Sequence, residues 1–282
     1  MSLVPIPIQD TKSTGALIGL YGETGVGKTV NVFKYIPGRM LYIKAENRNA
    51  NISLRTSGRN LTKHPVDTLG YESFGELKKF LENDANFVNY DTVVVDSISQ
   101  LMNIHLSQEI EDETFAARDD DKKKELKSLI LSTKKEFEGW GALAGQMYRL
   151  IAPLGRLSDL GKLVICTFLH DSSPSWGRRH LNAPLVDGKK FGDNMGAFFD
   201  YVGWLEPRYD ENVQPIYPAK VYFHGMPDIY CKWTGVLPEG ATQAVGPFDA
   251  LIRYIIGFMF GSYENPCEES KTKRGDAQAK TV

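Results

Sequence analysis

Cysteine is scarce in this sequence, with three residues in a chain of 282. Cys166, Cys231 and Cys267 are odd in number and far apart, which argues against both a disulfide framework and a zinc knuckle. Such sparse use of cysteine is typical of a reducing compartment. We therefore expect a cytoplasmic protein, in the host cytoplasm if the chain is viral.

Long apolar segments are also missing. The most apolar stretch, Leu251 to Phe260, spans only ten residues and includes Arg253, whereas a helix that crosses a bilayer needs about 20 apolar residues. The first residues of the chain do not combine a basic segment with an apolar one, as a secretory signal would. We expect no association with a membrane.

Neither sign of charge is in excess, because 33 Lys and Arg balance 35 Asp and Glu for a net charge of -2. This balance excludes a strong overall basic field, so any binding of a polyanion must be local. Residues 109–125 carry eight acidic and four basic side chains, which predicts an exposed charged insertion over about residues 105–138. Residues 261–282 are also polar, and they predict a flexible tail on a single domain of residues 1–260.

Hydrophobic residues make up 42% of the chain, which is sufficient for a large core. The helical spacing of apolar residues predicts amphipathic helices over Ser73 to Leu81 and Ala142 to Leu160, with a kink or break at Pro153. Short apolar runs bounded by glycine or polar residues predict buried strands: Ala16 to Tyr21, Thr92 to Val95 and Leu163 to Phe168. This alternation predicts an α/β fold with a mostly parallel central sheet flanked by helices.

The segment directly after the first strand reads Gly-Glu-Thr-Gly-Val-Gly-Lys-Thr and fits the phosphate-binding pattern G-x-x-x-x-G-K-[ST]. Its glycines allow successive backbone N–H groups to face a phosphate, and Lys28 neutralises β- and γ-phosphate oxygens. The helix predicted over Val30 to Ile36 adds its N-terminal dipole to this anion field. We therefore predict nucleotide binding by these residues: Gly22, Glu23, Thr24, Gly25, Val26, Gly27, Lys28, Thr29 and Val30.

Two oxygen-bearing side chains predict a magnesium site beside this loop. Thr29 supplies the hydroxyl that ligates Mg²⁺ in P-loop proteins. Asp96 ends the apolar strand Thr92 to Val95, where a P-loop protein places the carboxylate that holds the hydration shell of Mg²⁺. The predicted cofactors are ATP and Mg²⁺.

Hydrolysis of ATP also needs a group that orients the attacking water. In many P-loop ATPases a carboxylate directly follows the metal-binding aspartate, but this chain has Ser97 there. Glu46 follows the strand predicted after the P-loop helix, which places it at the carboxyl edge of the sheet. Glu46 is therefore the candidate, and a surface carboxylate at a strand end is the alternative.

The order of these elements resembles the RecA-like ATPases, which have a P-loop, a glutamate after the next strand, a segment like Val-Val-Val-Asp-Ser, and a later strand with a polar tip. Here that tip is His170. Over about Gly15 to Pro238 the chain looks most similar to compact phage-encoded RecA-fold ATPases of single-strand annealing and recombination, including AAA-type phage nucleotide-binding proteins. The resemblance implies an ATPase in which Lys28 and Glu46 act in catalysis and His170 senses the γ-phosphate. RecA has glutamine where this chain has His170, and an ordinary buried, hydrogen-bonded histidine is the alternative.

In RecA-like ATPases the loop after the sensor strand lines the DNA channel, and Asp171 to Gly196 occupies this position. Its segment Ser175 to Lys190 is net basic by three, and an aromatic side chain among basic ones suits unpaired bases. The resemblance thus implies single-stranded DNA as a partner, with an ordinary solvated loop as the alternative. The candidate DNA contacts are Trp176, Arg178, Arg179, Lys189 and Lys190.

RecA-like ATPases complete their active sites across a subunit boundary, so the resemblance also implies self-association into a ring or filament. Lys220 and Lys232 are the candidates for a basic residue that reaches the γ-phosphate of the neighbour. Lys232 lies in the strand-like stretch Asp228 to Trp233. Other recombination or phage proteins are further partners that the resemblance allows.

Two other functions are compatible with a P-loop. An ATPase that acts on a protein partner, such as a phage assembly or regulatory factor, would use the charged insertion and the tail as contacts. A nucleotide or small-molecule kinase would need an acceptor pocket and an arginine-bearing lid, which Arg178 and Arg179 could imitate. Glu46 and the strand pattern fit a kinase less well.

Overall fold

The computed structural model describes residues 15–46, 48–102, 136–171, 182–186, 192, 194–224 and 226–267. Within these residues the strands are β1 (Ala16–Gly22), β2 (Met40–Lys44), β3 (Val66–Leu69), β4 (Thr92–Asp96), β5 (Leu163–Asp171), β6 (Ala183–Pro184), β7 (Tyr201–Tyr209), β8 (Pro215–Tyr222) and β9 (Val245–Pro247). The helices are α1 (Lys28–Tyr35), α2 (Ala50–Ser57), α3 (Phe74–Glu82), α4 (Ile98–Gln100), α5 (Glu136–Asp159) and α6 (Phe248–Phe260).

The strands form one mixed sheet in the order β3-β2-β4-β5-β1-β7-β8-β9, with β6 paired to β5. From β3 to β7 in this order, neighbouring strands are parallel, whereas β8 and β9 are antiparallel to their neighbours. Every residue of β1 and β4 is buried. The predicted α/β fold with a mostly parallel central sheet is confirmed, and its inner strands are largely apolar because helices cover both faces.

The side chains of β1 alternate between two hydrophobic cores. Leu17 and Tyr21 face the core that α3 and α5 cover, and Ile18 and Leu20 face the core that α1 and α6 cover. Because side chains alternate along a strand, one apolar run supplies both cores at once. The sheet is thereby held rigidly between two helical layers, and the loops at its edge are positioned by that rigid frame.

The carboxyl ends of the parallel strands meet at one edge of the sheet. Lys44 of β2 pairs in register with Asp96 of β4, and Gly22 of β1 pairs with Leu169 of β5. These pairs place the carboxyl ends of β1, β2, β4 and β5 side by side, at the edge where open α/β sheets bind ligands. A predicted site residue lies within two residues of each of these strand ends: Gly22, Glu46, Asp96 and His170.

Two local predictions differ from the structure. Pro153 lies inside α5, but the helix is continuous from Glu136 to Asp159, so the break expected there is absent. The strand-like stretch Asp228 to Trp233 forms isolated bridges instead of a regular strand, and these join Lys232 to Val202 and Ile229 to Asn182 and Met226. Apolar and aromatic composition predicted a strand, but its neighbour β7 is already paired with β1 and β8 over most of its length.

The first residues of the predicted tail pack against the domain. The Tyr263 hydroxyl donates to the carbonyl oxygen of Tyr35 at 2.9 Å, and the Cys267 thiol lies 3.3 Å from the carbonyl oxygen of Ser57. The boundary predicted at residue 260 is therefore too early, because residues 261–267 are anchored to α1 and α2. The remainder of the tail and most of the charged insertion fall outside the described residues.

Candidate nucleotide-binding and catalytic site

The P-loop connects β1 to α1 through two glycines that adopt a left-handed backbone. Gly25 has a φ of 88° and Gly27, the residue before α1, has a φ of 81°. A Cβ atom on Gly27 would lie 2.4 Å from Cε1 of Tyr217, which is far inside van der Waals contact. Glycine is therefore required at Gly27 for both its backbone conformation and the close approach of β8.

Lys28 is buried at the start of α1, with only 7% of its surface exposed. Its ammonium group donates to the carbonyl oxygens of Gly22 at 2.7 Å and Glu23 at 2.9 Å. Burial lowers the pKa of Lys28 to about 8, against the opposing attraction of the Asp96 and Glu46 carboxylates. A cation held inside the loop in this way is ready to receive the anionic phosphates of a nucleotide.

Asp96 is fully buried and accepts hydrogen bonds from three hydroxyl groups. Thr29 donates to Oδ2 at 2.6 Å, Tyr42 donates to the same oxygen at 2.7 Å, and Thr167 donates to Oδ1. Burial, and then the Asp96 carboxylate, raise the pKa of Tyr42, so this hydroxyl remains a donor. Side chains from α1, β2 and β5 thus fix the orientation of the carboxylate.

The oxygens of Thr29 and Asp96 suit Mg²⁺, a hard cation that prefers oxygen ligands. Within the described part of the chain, no group of three or more His, Cys, Asp or Glu side chains could hold a metal by itself. Mg²⁺ commonly takes one or two protein ligands together with substrate phosphates. The two side chains therefore fit a magnesium ion that binds along with a nucleotide.

Glu46 lies just beyond β2, and 13% of its side chain is exposed. It lines the same cleft as Lys28 and Thr29. Partial burial, followed by the Asp96 carboxylate, raises the pKa of Glu46, while the guanidinium of Arg48 opposes this shift. The fold thus brings the predicted water-orienting carboxylate to the predicted phosphate and metal site.

Arg48 is a site residue that the sequence did not reveal. Its Nη2 atom donates to the Thr29 hydroxyl and lies 3.4 Å from Oδ2 of Asp96, and its Nε atom pairs with the Glu46 carboxylate. Its position two residues after Glu46 could have marked it as a neighbour. The turn that folds its guanidinium back onto Thr29 and Asp96 is visible only in three dimensions.

The cleft at this site has a volume of about 620 Å³. Besides P-loop residues it is lined by side chains that sequence reasoning missed, including Ile52, Ser53 and Thr56 of α2, and Tyr217 of β8.

A buried amide bridges α1 to β8, because Oδ1 of Asn31 accepts from the Ala219 N–H at 3.1 Å. This contact joins segments 188 residues apart, so no local pattern could have predicted it.

His170 lies between the P-loop and the segment that follows β5. Its Nε2 atom is 2.8 Å from Oδ1 of Asn182, and its Nδ1 atom is 4.0 Å from a carboxylate oxygen of Glu23. Its side chain is only 7% exposed. The predicted sensor therefore contacts the phosphate-binding loop on one side and the start of β6 on the other.

Trp176, Arg178, Arg179, Lys189 and Lys190, the candidate DNA contacts, lie outside the described residues. Neither Lys220 nor Lys232, the predicted trans-acting lysines, is among the described side chains that line the cleft.

The two lysines differ in their availability. The Lys232 ammonium donates to the carbonyl oxygens of Gly196 at 3.0 Å and Phe199 at 2.6 Å within its own chain. Lys220 is 41% exposed, lies 3.7 Å from the Glu206 carboxylate and sits over the ring of Tyr222. The exposed Lys220 is the better placed of the two to reach another subunit.

The P-loop, the buried aspartate at the end of β4 and the mostly parallel sheet together define a P-loop NTPase with an α/β fold. A family model described as AAA domain matches residues 14–220, so the chain belongs to the AAA domain family. A comparison with curated proteins finds no significant match. None of the described helices is both long enough and apolar enough to span a bilayer.

Two solved structures are similar to this chain in outline. One is a KaiC-like protein from the hyperthermophilic archaeon Pyrococcus horikoshii OT3, with 14% sequence identity and a TM-score of 0.38 over 74% of this chain and 76% of that one. The other is the RadB recombinase, with 14% identity and a TM-score of 0.39 over 74% of this chain and 80% of that one.

Proposed function

We propose that this protein is a Mg²⁺-dependent ATPase that acts on single-stranded DNA in recombination or annealing. The observation that carries the ATPase proposal is the grouping of Lys28, Thr29 and Glu46 in one cleft, with the buried Asp96 hydrogen-bonded to Thr29. Lys28 and Thr29 begin α1, Glu46 follows β2 and Asp96 ends β4, and the hydrogen bond between Thr29 and Asp96 fixes these two relative to each other. This set supplies a cation, a metal site and a carboxylate, which are the elements that phosphoryl transfer to water requires.

In the proposed reaction the P-loop amides and Lys28 bind the β- and γ-phosphates and stabilise the charge that develops on their oxygens. Thr29 and Asp96 would hold Mg²⁺, which supplies further charge neutralisation at the phosphates when bound. Glu46 orients a water molecule toward the γ-phosphate and accepts its proton. The raised pKa of Glu46 supports this role, because it makes the carboxylate a stronger base.

The DNA part of the proposal is supported by the contacts of His170. This residue bridges Glu23 in the P-loop to Asn182, and β6 beside Asn182 pairs with the end of β5. His170 and Asn182 flank, in the sequence, the stretch that contains Trp176, Arg178 and Arg179. A change at the γ-phosphate would reach this segment through a single side chain.

The test is release of inorganic phosphate from ATP with Mg²⁺, measured at low salt with and without single-stranded DNA. We expect hydrolysis that single-stranded DNA stimulates, with stimulation lost steeply as salt increases because each basic contact with a phosphate displaces a condensed counterion. Hydrolysis unchanged by DNA would refute the DNA proposal and leave the ATPase proposal standing. Transfer of the phosphate to an acceptor other than water would instead show a kinase.

A further inference from the structure

The guanidinium of Arg48 occupies the position in front of the predicted magnesium ligands. Its Nη2 atom contacts Oγ1 of Thr29 and Oδ2 of Asp96, the two atoms that fit Mg²⁺, while its Nε atom pairs with Glu46. A metal ion and a guanidinium cannot contact the same pair of oxygens at the same time. Arg48 and Mg²⁺ therefore exclude each other in this geometry.

The charges around Asp96 explain why a cation is stabilised there. Asp96 is fully buried and accepts from three neutral hydroxyl groups, but a buried charge remains costly unless it is paired as well as hydrogen-bonded. The ammonium of Lys28 donates to the backbone of Gly22 and Glu23, so it does not contact Asp96 directly. The guanidinium supplies the missing positive charge, and its planar fork reaches both Asp96 and Glu46 at once.

The Arg48 side chain is also able to move away from Thr29 and Asp96. Half of its side-chain surface is exposed, in contrast to 13% for Glu46 and none for Asp96. Its aliphatic stem is thus held by little packing, and its position depends on the charged contacts of its head group. A competing cation at Thr29 and Asp96 would free the side chain without disturbing the core.

Resting on the proposed ATPase function, we infer that Arg48 is a competitor of Mg²⁺ built into the chain. It holds the metal ligands and the water-orienting glutamate together until a magnesium nucleotide displaces it. Its departure frees the Glu46 carboxylate from its ion pair, so that Glu46 can orient water. Arg48 is thus a positioning residue that couples release of Glu46 to loading of the metal nucleotide.

The experiment compares wild type with Arg48→Gln by the fluorescence of bound MANT-ADP over a series of free Mg²⁺ concentrations. We expect the Mg²⁺ concentration for half-maximal binding to fall about three- to tenfold in Arg48→Gln, the size of one partly exposed charge contact. Arg48→Lys keeps the charge but cannot span both carboxylates, and should give an intermediate value. An unchanged or higher half-maximal concentration in Arg48→Gln would overturn the proposal, since it would mean no competition or a direct role in nucleotide binding.

Thermal unfolding supplies a second readout that does not depend on turnover. In EDTA without nucleotide, Arg48→Gln should unfold about 2–4 °C below wild type, because Asp96 and Glu46 lose their shared cation. In saturating Mg²⁺ and ADP this difference should disappear. An equal loss under both conditions would show a purely structural role and reject the displacement model.

Arg55→Gln is the matched control, because Arg55 is an exposed arginine on α2 outside the cleft lining. Its Mg²⁺ dependence and its thermal unfolding in EDTA should equal those of wild type. Failure of wild type to bind MANT-ADP at any Mg²⁺ concentration would refute the proposed nucleotide function itself. The outcome for Arg48 is therefore separable from the outcome for the ATPase proposal.

Discussion

Lys28 holds a positive charge in a buried loop. The free-energy cost of burying this charge predicts that the stability of the protein depends on pH. Its pKa is about 8 in the folded chain, against 10.5 as the ordinary value. Between these values the unfolded chain holds the proton and the folded chain does not, so the free energy of unfolding rises with pH in this window. Below about pH 8 both states are protonated and the full burial cost remains.

The prediction is tested by comparing wild type with Lys28→Met in urea unfolding from pH 7.5 to pH 10. Methionine cannot titrate, so wild type should gain stability relative to Lys28→Met by on the order of 1–3 kcal/mol as pH rises across the window. Parallel pH profiles for the two proteins would show that burial does not lower the pKa of Lys28. Lys28→Met should also lose nucleotide binding, because the P-loop cation is absent.

Glu46 supports a second prediction at the residue scale. Glu46→Gln keeps the shape of the side chain but removes the proton acceptor, so turnover should fall by about two to three orders of magnitude while ATP still binds. Phosphate release and MANT-ATP binding measured side by side separate the two effects. Glu72→Gln, a change at an exposed carboxylate outside the cleft, is the control and should leave both unchanged. Near-normal turnover in Glu46→Gln would refute the assignment.

At the scale of the structural element, the P-loop depends on the strand packed against it. Gly27 needs both a left-handed backbone and space for the ring of Tyr217, whereas Gly58 at the end of α2 has a φ of 67° and open space around it. Alanine at Gly58 should therefore cost only the backbone strain of about 1–2 kcal/mol. Alanine at Gly27 should cost more, because β8 must also move.

Comparing Gly27→Ala with Gly58→Ala separates the cost of backbone strain from the effect of a displaced P-loop on nucleotide binding. Gly27→Ala should also weaken nucleotide binding about tenfold or more, since misplacing the loop by a fraction of an ångström disturbs every phosphate contact. Gly58→Ala should bind nucleotide like wild type. Urea unfolding and MANT-ADP titration of both variants provide the measurement, and equal losses in the two would contradict the role assigned to Tyr217.

At the scale of the whole molecule, the proposed assembly predicts complementation between subunits. If Lys220 reaches the γ-phosphate of a neighbour, Lys220→Ala should lower turnover about 10- to 100-fold without weakening ATP binding. Mixing it with Glu46→Gln should restore part of the activity, because some interfaces then combine an intact Glu46 with an intact Lys220. Activity of the mixture equal to the average of the two separate proteins would reject the shared site.

Lys232 serves as the contrast to Lys220 in this experiment. Its ammonium group ties together the backbone at Gly196 and Phe199, so Lys232→Ala should lower stability by about 1–3 kcal/mol. We expect no complementation with Glu46→Gln from this variant. If Lys232→Ala is stable and complements Glu46→Gln, then Lys232, and not Lys220, is the residue that reaches the neighbouring subunit.

Prediction from the sequence was most informative where the candidate site depends on consecutive residues. The P-loop is read directly from its pattern, and Asp96 follows from a strand that must be buried on both faces. The sequence also predicted the parallel order that brings Glu46 to the same edge as Asp96. It missed the tail contacts of Tyr263 and Cys267, because a polar composition does not reveal which few side chains will find a partner.

By itself the sequence determined the fold class, the phosphate-binding loop and the candidates Thr29, Glu46 and Asp96, because hydrophobic periodicity and local motifs are written along the chain. Only the tertiary structure decided that Tyr42, Thr167 and Arg48 converge on these oxygens and that Tyr217 closes over Gly27. Such contacts join residues separated by up to about 190 positions. They depend on the register and order of strands, which set distances that no local pattern contains.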